Sequence, residues 1–209
     1  IQWYTRPSGC GPGPPSVPGN ASATQILVIG DSISKGTYRY LSAQRPDWEV
    51  AHACAELNGG CGNTARGNKC IRAWLGKRHW DAVLFNFGLH DLVQDYEYVP
   101  VHQYASALHN ITQHVQQSTD HAYWISTTPI PRIRLLPPRD KLDVSVYNQA
   151  AAYTMARDGV PVVDVNTFVN QVCGSSYKVC PRLQQYNVHF NELGYQTIAG
   201  FISTSILRG

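Results

Sequence analysis

Ser32, His90 and His189 are the residues of this chain whose types and settings could carry nucleophilic chemistry. Ser32 stands in Gly30-Asp31-Ser32-Ile33-Ser34, directly after the apolar run Ile26-Leu27-Val28-Ile29. His90 stands in Gly88-Leu89-His90-Asp91, after Ala82-Val83-Leu84-Phe85. His189 stands in Asn187-Val188-His189-Phe190, just before the last helical pattern. A serine hydroxyl is a weak nucleophile and needs an adjacent base. Histidine suits that role because it titrates near neutral pH. Acyl transfer also builds charge on a carbonyl oxygen, which preorganised N–H donors stabilise. Backbone N–H groups at a strand-to-helix junction can supply those donors.

Each residue has a plainer reading in isolation. Gly-Asp-Ser is also ordinary turn chemistry. A lone histidine is more often structural than functional. The remaining histidines (His52, His79, His102, His109, His114 and His121) show no H-E-x-x-H spacing, so no metal is expected, nor any cofactor. It is the convergence of the three segments that favours chemistry, and convergence depends on the elements that hold them.

Those elements alternate. The pattern predicts strands over 25–30, 48–53, 81–87, 122–127 and 160–165. It predicts helices over 34–45, 63–77, 101–118 and 143–158, the last closed by Gly159. Asn191 can cap a final helix whose Tyr195, Ile198 and Ile202 share a face. Short continuous apolar strands separated by helices imply a parallel sheet covered on both faces. Ligands bind such sheets beyond the carboxyl ends of the strands, where Ser32, His90 and Thr127-Thr128-Pro129 would meet. Arg132, Arg134 and Arg139 lie in the Pro-rich loop at that same edge. They read as solvated charges or as contacts to an anionic or sugar substrate.

With these blocks in this order, the chain from Gln25 onward resembles the SGNH, or GDSL, hydrolase family. Gly30-Asp31-Ser32 is similar to its first block, Gly88-Leu89-His90-Asp91 to its third and Asn187-Val188-His189-Phe190 to its fifth. The stretch from Trp80-Asp81 to Leu92 resembles a subgroup in which histidine replaces the usual asparagine. The resemblance implies an α/β fold of three-layer, flavodoxin-like type with a five-stranded parallel sheet and helices on both faces. It implies Ser32 as nucleophile, its N–H also serving the oxyanion hole, and His189 as general base. It implies His90 as a side-chain oxyanion donor and a second-block glycine within 58–62, with Gly60 favoured. At Asn187 the family has aspartate. In serine proteases the Asp→Asn change at the equivalent role lowers turnover about 10⁴-fold, through the wrong histidine tautomer. Three outcomes stay open: a Ser–His dyad helped by a backbone carbonyl, a carboxylate from elsewhere such as Glu192, or a catalytically silent extracellular binding or structural glycoprotein.

The bulk properties fit a globular domain, and the cysteines with the sequons point outside the cytosol. Hydrophobic residues make up 43% and charged residues 15% of the 209-residue chain, a globular rather than a disordered balance. The net charge of +3 is scattered, so nucleic acid is not an expected partner. No apolar run is long enough to suggest a membrane span. The chain starts at Ile1 without a leader and reads as a processed mature form. Six cysteines without repeated C-x-x-C pairs favour disulfides over zinc. Cys173 with Cys180 is the first pairing expected, and Cys10 is expected to join one of Cys54, Cys61 and Cys70. Sequons at Asn20 and Asn110 add to a secreted reading. Residues 1–24 read as an extended Pro/Gly-rich arm, and by the resemblance 25–209 reads as a single SGNH hydrolase-like domain. The expected activity is hydrolysis of small acyl esters, including O-acetyl groups on glycans. Self-assembly through the arm stays open.

Overall fold

In the computed structural model of the chain the described residues are 9–13, 22–94, 97–139, 141–174, 180, 183–184 and 186–206. The strands are β1 (Thr24–Ile29), β2 (Trp48–His52), β3 (Ala82–Phe85), β4 (Ala122–Ile125) and β5 (Val162–Val163). They form one parallel sheet in the order β2-β1-β3-β4-β5. Ile26, Leu27, Ile29, Val83 and Phe85 are fully buried. A strand covered on both faces has no solvent side to mark with polar residues, hence the unbroken apolar runs.

The helices are α1 (Ser32–Gln44), α2 (Thr64–Leu75), α3 (Val101–Gln116), α4 (Lys141–Asp158), α5 (Val165–Cys173) and α6 (Glu192–Ser205). They pack as two groups, α1 with α6 and α5, and α2 with α3 and α4. One group covers each face, giving the three-layer α/β fold. No described helix is long and apolar enough to cross a membrane.

One predicted element is corrected. The last strand was expected over 160–165, yet β5 is only Val162–Val163 and a helix, α5, begins at Val165. Asp164 ends the strand by capping that helix, accepting from the Thr167 N–H at 3.0 Å and from the Thr167 hydroxyl at 2.6 Å. Phe168 then stacks on Phe201 of α6, with ring centroids 4.3 Å apart.

Disulfides join Cys10 to Cys70, Cys54 to Cys61 and Cys173 to Cys180. The first ties residues 9–13 to α2, where the Trp74 indole N–H donates to the Cys10 carbonyl at 2.8 Å. The second closes the loop after β2 that carries Gly59 and Gly60. Asn110 is exposed on α3, whereas Asn20 and most of the arm lie outside the described residues.

Candidate active site

The chain runs from β1 to β2 on one side and then crosses to β3 on the other. The loops after β1 and β3 therefore diverge, opening the crevice where such sheets bind ligands. Ser32 enters this crevice in the first turn of α1, two residues earlier than the helix was expected to start. Asp31 is the N-cap, its Oδ1 accepting from the N–H of Ile33 at 2.8 Å and of Ser34 at 3.4 Å. The Ser32 N–H is among the helix's first N–H groups, which have no partner inside the helix.

His189 arrives from the loop before α6, 157 residues away in sequence, and its Nε2 lies 2.9 Å from Ser32 Oγ. Asn187 Oδ1 accepts from the His189 backbone N–H at 2.7 Å and sits 3.2 Å from the ring's Nδ1. An N–H donor can be met only by the amide oxygen, so the oxygen is the atom turned toward the ring. Nδ1 then carries the ring proton and Nε2 presents its lone pair to the serine hydroxyl. Glu192 is not the substitute carboxylate here; it accepts from Gln196 along α6 at 3.2 Å. Burial moves the His189 pKa below the ordinary histidine value. Asp31 opposes that shift, while Arg139 and His90 reinforce it.

The loop after β3 turns at Gly88, whose φ of +149° and close approach to Thr127 exclude a side chain; a Cβ would collide with Thr127 Oγ1. Beyond it, His90 Nδ1 lies 2.7 Å from Glu97 Oε2. Asp91 is fully buried and ties this loop to α2, Oδ1 accepting from the Thr64 N–H at 2.9 Å and from the Thr64 hydroxyl. Burial raises the Asp91 pKa to about 7, against the opposing pull of the Thr64 bonds.

The favoured second-block glycine is corrected. The Gly60 N–H already donates to the Leu57 carbonyl at 3.1 Å, so it is not a spare donor. Gly60 instead lets the loop press on the backbone just before Ser32, since a Cβ there would lie 2.6 Å from the Asp31 carbonyl carbon. The glycine facing the crevice is Gly59, where a Cβ would lie 3.2 Å from His90 Cε1.

These residues line one pocket of about 290 Å³. Its polar wall is Ser32, Asn58, His90, Arg139, Asn187 and His189, and its apolar wall is Leu89, Leu135, Leu136, Pro137 and Val188. Arg139 is held by donation from Nε to the Leu89 carbonyl at 2.7 Å. Arg132 and Arg134 are exposed and are not among the lining residues. Leu136, at 81% exposure, forms an apolar lip.

A second Ser–His contact has a different character. His52 is fully buried and its Nε2 lies 2.8 Å from Ser34 Oγ, but its Nδ1 accepts the Cys54 N–H at 3.1 Å. Nε2 is therefore the protonated nitrogen and donates, so this ring cannot act as a base toward Ser34. Burial, with the Lys35 charge, pushes its pKa down to about 3. Among the described residues, no group of three or more His, Cys, Asp or Glu is placed to hold a metal ion.

A pocket that sets a serine hydroxyl against one histidine nitrogen, with an amide oxygen facing the other, holds side chains of the types that acyl transfer uses. The chain superposes on a lipase/acylhydrolase from Enterococcus faecalis with a TM-score of 0.67 at 21% identity, covering 88% of this chain and 95% of that one. An α/β hydrolase from the metagenome of Lake Arreo gives 0.70 at 16% identity, covering 90% and 98%. An acetylxylan esterase from Geobacillus stearothermophilus gives 0.65 at 16% identity, covering 88% and 94%. At these identities the likeness is one of fold. No protein of curated function matches the sequence. The sequence model of the GDSL-like lipase/acylhydrolase family, however, matches residues 28–197, most of the chain. The chain belongs to the GDSL-like lipase/acylhydrolase family, a family of ester hydrolases.

Proposed function

We propose that this chain is a secreted serine esterase of the Gly-Leu-His-Asp subgroup, acting on small acyl esters such as O-acetyl groups on glycans. The observation that carries this reading is the 2.9 Å contact between Ser32 Oγ and His189 Nε2, with the ring's other nitrogen on Asn187 Oδ1. Ser32 Oγ attacks the ester carbonyl carbon while His189 Nε2 takes its proton. The carbonyl oxygen becomes an oxyanion beside the Ser32 N–H, the Gly59 backbone and His90. Collapse breaks the ester bond, and the leaving alcohol takes the proton from Nε2. Water then attacks the acyl-serine with His189 as base, releasing the acid and restoring the hydroxyl.

Two features support a small acyl group. The pocket of about 290 Å³ lies at the low end for ligand sites. The apolar cavity beneath Asp31, between β1, β3, α1 and α6, measures about 30 Å³, room for roughly one water and not for an acyl chain. The glycan part rests on likeness: the Geobacillus protein is an acetylxylan esterase, and two of its structures are catalytic mutants in which a serine or a histidine is replaced by alanine. Secretion rests on the cysteines and sequons.

The alternative, a catalytically silent extracellular glycoprotein, rests on the missing charge at Asn187. The amide oxygen turned to Nδ1 weighs against it, because the tautomer a base needs is still set. A p-nitrophenyl ester series tests the reading: kcat/KM should be highest for acetate and fall by octanoate. Rates rising with chain length would contradict a small-acyl site.

A further inference from the structure

The contact between His90 and Glu97 changes what His90 can do. A carboxylate only accepts, so a ring nitrogen 2.7 Å from it must carry a hydrogen. That hydrogen sits on Nδ1. A neutral imidazole has only one N–H, so Nε2 would then be a bare acceptor. Such a ring would repel an oxyanion rather than stabilise it. The ring can serve Glu97 and the pocket at once only with both nitrogens protonated.

We propose that His90 works as an imidazolium, held in that state by Glu97, so that its Nε2–H meets the oxyanion with a full positive charge behind it. This rests on the reading of Ser32 as nucleophile. It makes Glu97 a positioning residue for the reaction, acting through His90. The site lacks a carboxylate behind its base, at Asn187, and has one behind its oxyanion donor instead.

The surroundings fit this assignment. The pair is shielded, with side-chain exposures of 18% for His90 and 29% for Glu97, and partial shielding strengthens a charge-assisted bond. Glu97 is anchored, its carbonyl accepting from Asn63 Nδ2 at 2.8 Å, and Asn63 is itself the N-cap of α2. Two other groups of positive or potentially positive charge line the same pocket, Arg139 and His189. Both oppose a charge on His90. Asp91, next in the chain, is buried on Thr64 and titrates near neutrality, and Asp31 lies under Ser32. The loop of Asn58 and Gly59 brings no charge to the pocket. Among the described residues, Glu97 is the carboxylate in direct contact with the ring, and it offsets the two cations.

The experiment is a pH–rate profile of kcat with p-nitrophenyl acetate from pH 5 to 10 for wild type, Glu97→Gln, Glu97→Asp and His90→Asn. Glutamine keeps an acceptor for Nδ1 but removes the charge. Glu97→Gln should lower kcat on the order of 10²-fold at pH 8, with KM changed far less, and lose activity at lower pH on the alkaline side. Glu97→Asp should recover part of the loss. His90→Asn, a neutral donor, should remove the alkaline loss altogether and make a further Glu97→Gln change nearly silent. Nitrogen-15 NMR of histidine-labelled protein gives a second readout that needs no turnover: at pH 7 both His90 nitrogens should be protonated in wild type and one in Glu97→Gln. A Glu97→Gln profile superimposable on wild type, or a neutral Nδ1–H ring at pH 7 in wild type, would overturn the proposal. Ser32→Ala separates the two readings. If it is inactive while Glu97→Gln behaves as wild type, the esterase reading stands and the His90 assignment falls. If it is as active as wild type, the esterase reading itself falls.

Discussion

Asn187 Oδ1 accepts the backbone N–H of His189 at 2.7 Å and faces Nδ1 of the same residue at 3.2 Å. The first contact fixes which end of the amide the ring meets, so asparagine supplies the tautomer that an aspartate would supply and lacks only its charge. The large loss seen when a protease aspartate becomes asparagine comes mainly from the wrong tautomer, which this geometry avoids. Asn187→Asp should therefore raise kcat on p-nitrophenyl acetate by only on the order of 10-fold, well short of 10⁴. Asn187→Leu, which leaves Nδ1 without a partner, should lower it on the order of 10²-fold.

The acid limb of activity should lie below the ordinary histidine range. His189 must be neutral to accept the serine proton, and burial, aided by Arg139 and His90, holds its pKa down. Removing the guanidinium removes one of those forces, so the ring protonates more readily. Arg139→Gln should move the acid limb of kcat/KM to higher pH, which a profile from pH 4 to 8 will show.

Stability should depend on Asp91. Its carboxyl titrates at about 7 in the fold because it is buried, against about 3.9 in an unfolded chain. Between those values the folded state holds a proton that the unfolded state has lost, so stability falls as pH rises. The contribution is complete below about pH 4 and gone above about pH 7. Thermal midpoints from pH 4 to 8 should decline in wild type, and the decline should be shallower in Asp91→Asn.

Gly88→Ala should cost stability and activity together. The φ of +149° and the collision with Thr127 Oγ1 require the loop carrying His90 to move. A strained backbone of this kind costs about 1–3 kcal/mol, a drop of several degrees in the thermal midpoint at roughly 2–4 °C per kcal/mol. A midpoint within 1 °C of wild type would show that the turn tolerates a side chain.

The fold was legible because its signals are local. Ile26-Leu27-Val28-Ile29 and Ala82-Val83-Leu84-Phe85 are buried on both faces and read as central strands. Ser32 could be placed because it directly follows the first of them. Asn191 is visible as a cap, and its Oδ1 accepts the Gly194 N–H at 2.8 Å. What stayed hidden depends on tertiary placement. The helix α5 hid behind the apolar Val160-Pro161-Val162-Val163; the readable clue was Asp164 three residues before Thr167. Nothing in the sequence separates Gly59 from Gly60, since which one faces His90 is decided by the Cys54–Cys61 bridge and the turn on Leu57. Glu97 gives no signal at all. It lies seven residues beyond His90, and only the fold of the loop brings its carboxylate to the ring.

Labelling with a fluorophosphonate at pH 7, read by intact mass and peptide mapping, tests Ser32 and His189 most directly. The account predicts one adduct on Ser32, none in Ser32→Ala, and labelling slowed by at least about 10²-fold in His189→Ala, the lower range for loss of a general base. Equal labelling of wild type and Ser32→Ala, or an adduct on another residue with turnover intact in Ser32→Ala, would contradict it.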